Sequence, residues 1–330
     1  MRESAAEATL AAELIAVMVA ANATAPRILT VEDGRALPSG PFASSHRSLQ
    51  SGLRAWVEER TRHPLGYVEQ LYTFADRDRT SGGTRRAISI SYLGLTREAP
   101  APPETGASWQ DWYRYFPWED RREGEPAVSS SLIAPALRAW AKTAPAPWAR
   151  RERSERAAIA FSLSGQAWNE EFSLQRYELL YEAGLVPEAG AAASAARAHA
   201  TSPAPSHVTS PAPSHVTSLG TPMLHDHRRI LATGIARLRA KIKYRPVVFE
   251  LMPPAFTLLE LQLVVEALAG MRLHKQNFRR LVARQELVEE TGAMIAETGG
   301  RPARLFRFRR AVLRERAASG TKLPLLAQPR

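Results

Sequence analysis

The stretch Thr257–Arg284 reads TLLELQLVVEALAGMRLHKQNFRRLVAR and decides the fold of the carboxy-terminal part of the chain. Thr257 and Glu260 have the spacing of a capping box, and apolar residues at helical spacing then run to Gly270, a typical helix end. After a turn of three residues the pattern predicts a second helix, His274–Arg284. The exposed side of that helix carries Lys275, Gln276, Asn277, Arg279 and Arg280.

A predicted hairpin follows the two helices. Leu287 and Val288 begin one strand, Leu305–Phe308 forms the other, and the tip contains two glycines and two arginines. Helix, turn, basic helix and hairpin together are the layout of a winged helix. The second helix of such a domain fits the major groove of B-DNA, and the tip would place Arg301 and Arg304 along the phosphates or in the minor groove. A winged helix that contacts other proteins is the alternative.

Upstream of this unit, residues 223–245 are predicted to form one helix with basic side chains over much of its surface. Pro246 would then open a strand, Val247–Leu251, and the next two prolines would end it. The helix places Arg228, Arg229, Arg237, Arg239, Lys241 and Lys243 beside its apolar side.

The charge of the chain is unevenly distributed. Residues 221–330 contain 21 Lys and Arg against 9 Asp and Glu, a net charge of +12, whereas the first 220 residues contain 23 against 24, a net charge of −1. This asymmetry indicates one near-neutral domain and one that meets a polyanion, either nucleic acid or an anionic membrane surface. A basic surface that only keeps the protein soluble is the alternative.

Cysteine is absent, which excludes disulfides, cysteine-ligated metals and a thiol nucleophile, and fits a cytoplasmic setting. No apolar run approaches the roughly 20 residues that span a bilayer. Leu14–Ala21 resembles the apolar part of a signal peptide, but acidic residues precede it, so we interpret it as a strand.

Residues 188–222 have the composition of a disordered linker. An alanine-rich stretch leads into Thr201–Val208, which is repeated without change at Thr209–Val216. Segments of proline, serine and alanine cannot bury a core. His207 and His215 are repeated with the unit, which favours a tandem duplication over a metal site.

The residues before the linker indicate an α+β domain. Apolar runs Leu14–Ala21 and Arg27–Val31 predict an antiparallel hairpin, and Leu65–Phe74 and Ala87–Leu95 predict two more strands. The aromatic segment that begins at Trp109 can either cover a sheet or stack on a nucleotide, and we favour packing. Helices are predicted at 47–60, 132–142 and 170–182, and no glycine-rich phosphate loop of the Rossmann or Walker type occurs.

The turn and helix that begin at Gly40 resemble a Nudix box, G-x5-E-x7-R-E-U-x-E-E-x-G-U. Arg54 falls on the arginine and Trp56 on the apolar position, while Glu58 and Glu59 fall on the final acidic pair. The family uses the helix glutamates to hold a divalent metal that activates water. The chain departs from the pattern at chemically important positions, because His46 and Ala55 replace glutamates and Thr61 replaces glycine.

A degenerate Nudix domain, a linker and a winged helix in this order resemble the Nudix-related regulators of NAD metabolism, the NrtR and NadQ families, with the NadQ-type branch closest. The resemblance implies a homodimeric repressor of NAD-biosynthesis genes that binds a palindromic operator in double-stranded DNA and senses ADP-ribose, NAD or ATP. The matching stretches are Leu37–Phe42, Gly66–Phe74, Phe249–Leu251, Phe256–Leu258, His274–Arg280 and Gly300–Phe306.

We therefore expect an α+β fold, with an N-terminal Nudix-like α/β/α sandwich and a C-terminal winged helix-turn-helix domain. Ligand-binding candidates are Gly40, Arg54, Glu58 and Glu59, of which the two glutamates are weak metal candidates, and no metal or cofactor is expected to be required. An active Nudix pyrophosphatase is the alternative function. The expected divisions are 1–145 for ligand sensing, 146–187 for a helical connection, 188–222 for the linker, 223–245 for the basic helix, 246–318 for the winged helix and 319–330 for a tail.

The degenerate box predicts little or no hydrolysis of ADP-ribose or related dinucleotides, since two metal-binding carboxylates are replaced. Phosphate release coupled to a phosphatase, with Mg²⁺ and ADP-ribose, measures this. Turnover of roughly 1–10³ per second, the usual range of enzymes, would contradict the prediction.

Overall fold

A computed structural model describes residues 11–43, 45–62, 66–75, 87–190, 219–296 and 302–312. None of the helices in these ranges combines the length and apolar character that crossing a bilayer requires. The strands are β1 Ala11–Ala21, β2 Pro26–Thr30, β3 Ser39–Pro41, β4 Tyr67–Phe74, β5 Ala87–Leu95, β6 Ser108–Asp111, β7 Val288–Ile295 and β8 Ala303–Phe308. The α-helices are α1 Leu49–Thr61, α2 Ala134–Lys142, α3 Pro147–Phe161, α4 Ser173–Glu182, α5 His227–Tyr244, α6 Leu258–Ala269 and α7 Lys275–Arg284.

Six of these strands form a mixed sheet in the order β4-β5-β1-β2-β6, with β3 paired to the beginning of β1. The central pair, β1 and β5, is parallel, and the other pairs are antiparallel. The predicted β1–β2 hairpin is confirmed, with Val19 opposite Ile28. Its turn is stabilised by Asn22, whose side-chain oxygen accepts hydrogen bonds from the backbone N–H groups of Thr24 and Ala25.

Helices cover both faces of the sheet and produce an α/β/α sandwich. On one face α1 buries Leu53 and Val57 against the side chains of Leu14 and Ala16. The second helical layer is α5, which follows the linker in sequence. It packs so closely that a Cβ on Gly234 would lie 2.8 Å from Val17 Cγ1, and glycine is therefore required at this contact.

One predicted strand is wrong. Residues Val247–Glu250 form a 3₁₀-helix with buried apolar side chains, not a strand. A short apolar run bounded by prolines carries no periodicity that separates a strand from a buried helical turn. The strand contact of the winged helix comes instead from Phe256, which exchanges two backbone hydrogen bonds with Phe306 of β8 at 2.9 and 2.8 Å.

Much of the positive charge of α5 is neutralised inside the protein. The side chains of Arg228 and Arg239 are fully buried, although the sequence pattern placed them on the basic surface of the helix. The reason is tertiary, because acidic residues that precede α5 in sequence pair with it in the fold. The ion pairs are Arg228–Glu188, Arg229–Glu178, Arg237–Glu69, Arg239–Glu119, Lys241–Glu69, Lys243–Glu170 and Lys243–Glu171.

A buried carboxylate, Glu119, lies at the centre of these contacts. Arg176 of α4 donates to both of its oxygens at 2.5 and 2.8 Å, Arg239 of α5 donates to Oε2, and Ser173 donates at 3.2 Å. Burial alone would raise the pKa of Glu119, but the two guanidinium groups lower it below its usual range. The carboxylate is therefore ionised and joins three separate elements of the chain.

Both described ends of the predicted linker meet at Arg228. Its guanidinium group pairs with Glu188 at 3.3 Å and donates to the carbonyl oxygen of Leu219. Glu188 also accepts a hydrogen bond from the backbone N–H of Met223 at 3.1 Å. The two described ends of this region therefore lie next to each other. The tandem repeat itself lies outside the described residues.

We expect deletion of Thr201–Val216 to leave the melting temperature almost unchanged. Both anchors stay in place, and halving a loop changes its closure free energy by only about 0.6 kcal/mol. Thermal unfolding followed by circular dichroism measures this. As a control, Leu219→Ala at the buried anchor should lower stability by roughly 2–5 kcal/mol. A large loss on deletion would show that the repeat folds or packs.

Candidate nucleic-acid interface and Nudix helix

The helix-turn-helix is built by strong local signals. Thr257 Oγ1 accepts a hydrogen bond from the backbone of Glu260 at 3.1 Å, and the Glu260 carboxylate accepts one from the backbone of Thr257 at 2.6 Å, so the predicted capping box is confirmed. Helix α6 ends at Gly270, whose φ of +71° favours glycine. A Cβ there would also lie 2.3 Å from the carbonyl oxygen of Glu119.

The turn between α6 and α7 is organised by Glu266, a residue that sequence reasoning did not single out. Its side chain is buried and accepts hydrogen bonds from Gln262 at 2.8 Å, from the backbone of Leu273 at 3.0 Å and from Arg272 at 3.1 Å. Burial would raise the pKa of Glu266, but these donors lower it. The ionised carboxylate therefore sets where α7 begins. Glutamine four residues before glutamate is the only sequence signal for this contact.

Helix α7 presents every predicted DNA-contacting residue of its own to solvent. Val282 is buried and Phe278 is half-buried, and they attach the helix to the domain. Within the described part of the chain no carboxylate pairs with the cations of this helix. Arg280 donates to Asn277 Oδ1 at 3.2 Å, which leaves the amide N–H donors of Asn277 available. The exposed face consists of Lys275, Gln276, Asn277, Arg279 and Arg280.

The hairpin of β7 and β8 forms the wing, and its charges are largely paired within it. Arg304 pairs with Glu290 and Arg307 with Glu289, each at 2.7 Å. Arg304, which the sequence pattern had treated as an open cation, is thus partly neutralised by Glu290, while its other guanidinium N–H groups remain exposed. Arg301 and the predicted glycine tip lie outside the described residues.

In the Nudix-like domain, the Gly40 and Trp56 positions of the motif pack against each other. Trp56 of α1 lies directly on Gly40, where a Cβ would come within 1.8 Å of the indole nitrogen. Arg54 donates to the carbonyl oxygen of Gly66 at 3.1 Å. Glu58 and Glu59 are exposed near the end of the helix.

His46 and Ala55, which replace glutamates of the box, do not form a metal site within the described residues. His46 Nδ1 accepts a hydrogen bond from the backbone of Ala43 at 3.1 Å, and the ring packs against Phe42. Ala55 is exposed. Within the described ranges no group of three or more His, Cys, Asp or Glu side chains has the arrangement needed to hold a metal ion.

The aromatic segment is mainly core, as the packing interpretation predicted. Trp112, Tyr115, Phe116 and Trp118 are completely buried. Trp109 differs, because it is half-buried on the α1 face of the sheet, where its indole N–H donates to Ala99 at 2.8 Å. Trp109 is therefore the member of the segment that is accessible from the face carrying the Nudix helix.

These features define a class of protein, in which a Nudix-like α/β/α domain is joined to a winged helix-turn-helix domain. Residues 248–308 match the family described as the NrtR DNA-binding winged helix domain. The resemblance to NrtR-type, Nudix-related regulators is thus confirmed in the carboxy-terminal sequence and in the fold of the chain.

Known proteins that are similar to this chain in sequence or structure include regulators of the NrtR type. The ADPR responsive transcriptional repressor NtrR of Acinetobacter baylyi is 42% identical over 92 residues, which cover 28% of this chain and 36% of that protein. The chain thus matches about a third of the length of this relative. Shewanella oneidensis NrtR in complex with a 27mer DNA shares the fold with a TM-score of 0.52 and 17% identity, over 91% of this chain and 94% of the other. Another structure of NrtR from the same organism gives a TM-score of 0.50 at 17% identity, over 91% and 95%.

We expect Gln276→Ala, Asn277→Ala or both to weaken binding to the operator by roughly 1–3 kcal/mol, with little change on random DNA. An uncharged amide releases few counterions but can pair with an adenine edge. Lys275→Ala, on the same exposed face, is the control and should weaken binding to both DNAs and lower the salt slope by about one. Anisotropy titrations at two salt concentrations measure both quantities. An unchanged operator-to-random ratio in both amide variants would show that α7 does not read the sequence.

Proposed function

We propose that the chain is a transcriptional repressor of NAD-biosynthesis genes, which binds double-stranded operator DNA and whose Nudix-like domain senses ADP-ribose. The observation that carries this proposal is the exposed face of α7, polar and basic, on an NrtR-type winged helix that is packed firmly against a Nudix-like domain. The printed name of the Acinetobacter relative supports a repressor that responds to ADP-ribose.

The charge distribution supports a DNA partner. The cations of α5 are paired with carboxylates of this chain, whereas no carboxylate of the described residues pairs with those of α7. The positive potential therefore concentrates on the face that would enter a major groove. We further propose a homodimer on a palindromic operator, because two helices of this kind read two half-sites about one helical turn apart.

The Nudix helix supports sensing without hydrolysis. Gly40 and Trp56 pack the motif into its loop-helix form, while His46 and Ala55 remove two of the carboxylates that a hydrolase uses. We propose that residues around Gly40 and Arg54, with Glu58 and Glu59, bind the nucleotide and that Mg²⁺ is not required. NAD and ATP remain alternative effectors, and an active pyrophosphatase is the competing function that the hydrolysis assay addresses.

DNA fragments that co-purify with the protein identify the operator when they are sequenced. We expect a palindromic sequence bound with a Kd of about 10⁻⁸–10⁻¹¹ M and at least 10³-fold preference over random DNA. Saturating ADP-ribose should change the operator affinity by at least about fivefold, with adenosine as the control ligand. Equal binding to operator and random DNA would refute the repressor, and an unchanged affinity with ADP-ribose, NAD and ATP would refute the sensor.

A further inference from the structure

One continuous segment, residues 109–121, connects the face of the Nudix helix with the helix-turn-helix. It begins in β6, where Trp109 lies on the α1 face of the sheet and is half-buried. It then passes through the buried aromatic residues and Glu119 to Arg121, next to α6. The segment therefore runs from the α1 face, to which the proposed function assigns the nucleotide, to the end of α6, which precedes the DNA-contacting helix α7.

At its far end, the segment holds the carboxy terminus of α6. The Tyr113 hydroxyl donates to the carbonyl oxygen of Ala267 at 2.6 Å, and the backbone N–H of Arg121 donates to that of Gly270 at 2.8 Å. Arg239 donates to Leu268 at 2.9 Å. The last carbonyl groups of a helix have no partners within the helix, so these donors determine how α6 sits on the Nudix-like domain.

The contact made by Tyr113 is tight and cannot be replaced by solvent. A Cβ on Gly270 would lie 2.9 Å from the Tyr113 hydroxyl oxygen, and the tyrosine side chain is almost fully buried. Burial raises the pKa of Tyr113 to about 12, so the hydroxyl remains a donor at physiological pH. Helix α7 begins five residues after Gly270, so its position follows that of α6.

We propose that Tyr113 is a positioning residue, whose hydrogen bond to Ala267 transmits the state of the nucleotide-binding face to the helix-turn-helix. This inference rests on the proposed function. A displacement of residues 109–112 on ligand binding moves the Tyr113 hydroxyl that holds α6. The position of α6, and therefore the distance between the two reading helices of a dimer, then changes. Coupling of this kind requires that the ligand and the operator favour different positions of one element.

Tyr113→Phe tests the inference, and Tyr115→Phe is the matched control. Tyr115 lies two residues away, is also buried, and donates its hydroxyl to the carbonyl oxygen of Gly34 at 2.5 Å, within the Nudix-like domain. Each change removes one hydroxyl group and leaves one buried carbonyl group without its donor, and Tyr113→Phe also removes a long contact of 3.4 Å from Arg239. General destabilisation should therefore be similar in the two variants, as melting temperatures will report.

The first readout is the ratio of operator affinities without and with ADP-ribose. We expect Tyr113→Phe to reduce this ratio at least threefold towards one, while the affinity for ADP-ribose without DNA changes less than twofold. Tyr115→Phe should keep the wild-type ratio. Retention of the full ratio in Tyr113→Phe, or an equal loss in Tyr115→Phe, would overturn the inference.

Hydrogen exchange of the full-length protein without DNA is the second readout. Amides of residues 267–274 should exchange at least tenfold faster in Tyr113→Phe and at the wild-type rate in Tyr115→Phe. Unchanged exchange in Tyr113→Phe would overturn the positioning role. A wild-type protein that shows no response to nucleotide would instead overturn the sensor, and the exchange data would still decide whether Tyr113 positions α6.

Discussion

The ionised carboxylate of Glu119 is the constraint on which the rest of the structure depends. Arg176 and Arg239 approach it from different helices, and none of the three side chains is exposed. Loss of one member of such a group leaves an unpaired buried charge, at a cost of about 3–5 kcal/mol. The cluster is therefore satisfied only when α4, α5 and the segment containing Glu119 dock together.

The remaining donors of the two arginines extend this requirement to the neighbouring elements. Arg176 donates to the carbonyl oxygens of Ala160 and Asn169 at 3.1 and 2.9 Å, and Arg239 donates to that of Leu268 in α6. The winged helix is thereby attached to the Nudix-like domain through buried hydrogen bonds. A connection of this kind transmits displacements, because a closely packed junction held by buried hydrogen bonds has few alternative arrangements.

Two helices in the carboxy-terminal half of the chain use similar residue types for opposite purposes. In α5 the cations hold the fold together, since Lys241 pairs with Glu69 and Arg229 pairs with Glu178. In α7, cations of the same kind face solvent. The Nudix helix also separates packing from chemistry. Gly40 and Trp56 keep the packing of the motif, while Ala55 lacks the carboxylate that the motif has at this position.

Local signals in the sequence were sufficient for most elements. The capping box at Thr257 and the alternation in Ala87–Leu95 act over a few residues, and the elements they predict are present. The order of the domains followed from these signals and carried the resemblance to the family. What only the tertiary structure decided was the placement of α5 as the second layer of the sandwich, the burial of Arg228 and Arg239, the 3₁₀ turn after Pro246 and the role of Glu266. The first three depend on partners distant in sequence, and neither periodicity nor net charge shows which carboxylate a given arginine will meet in the folded chain. Glu266 meets its donors within seven residues, but only the folded turn brings them together.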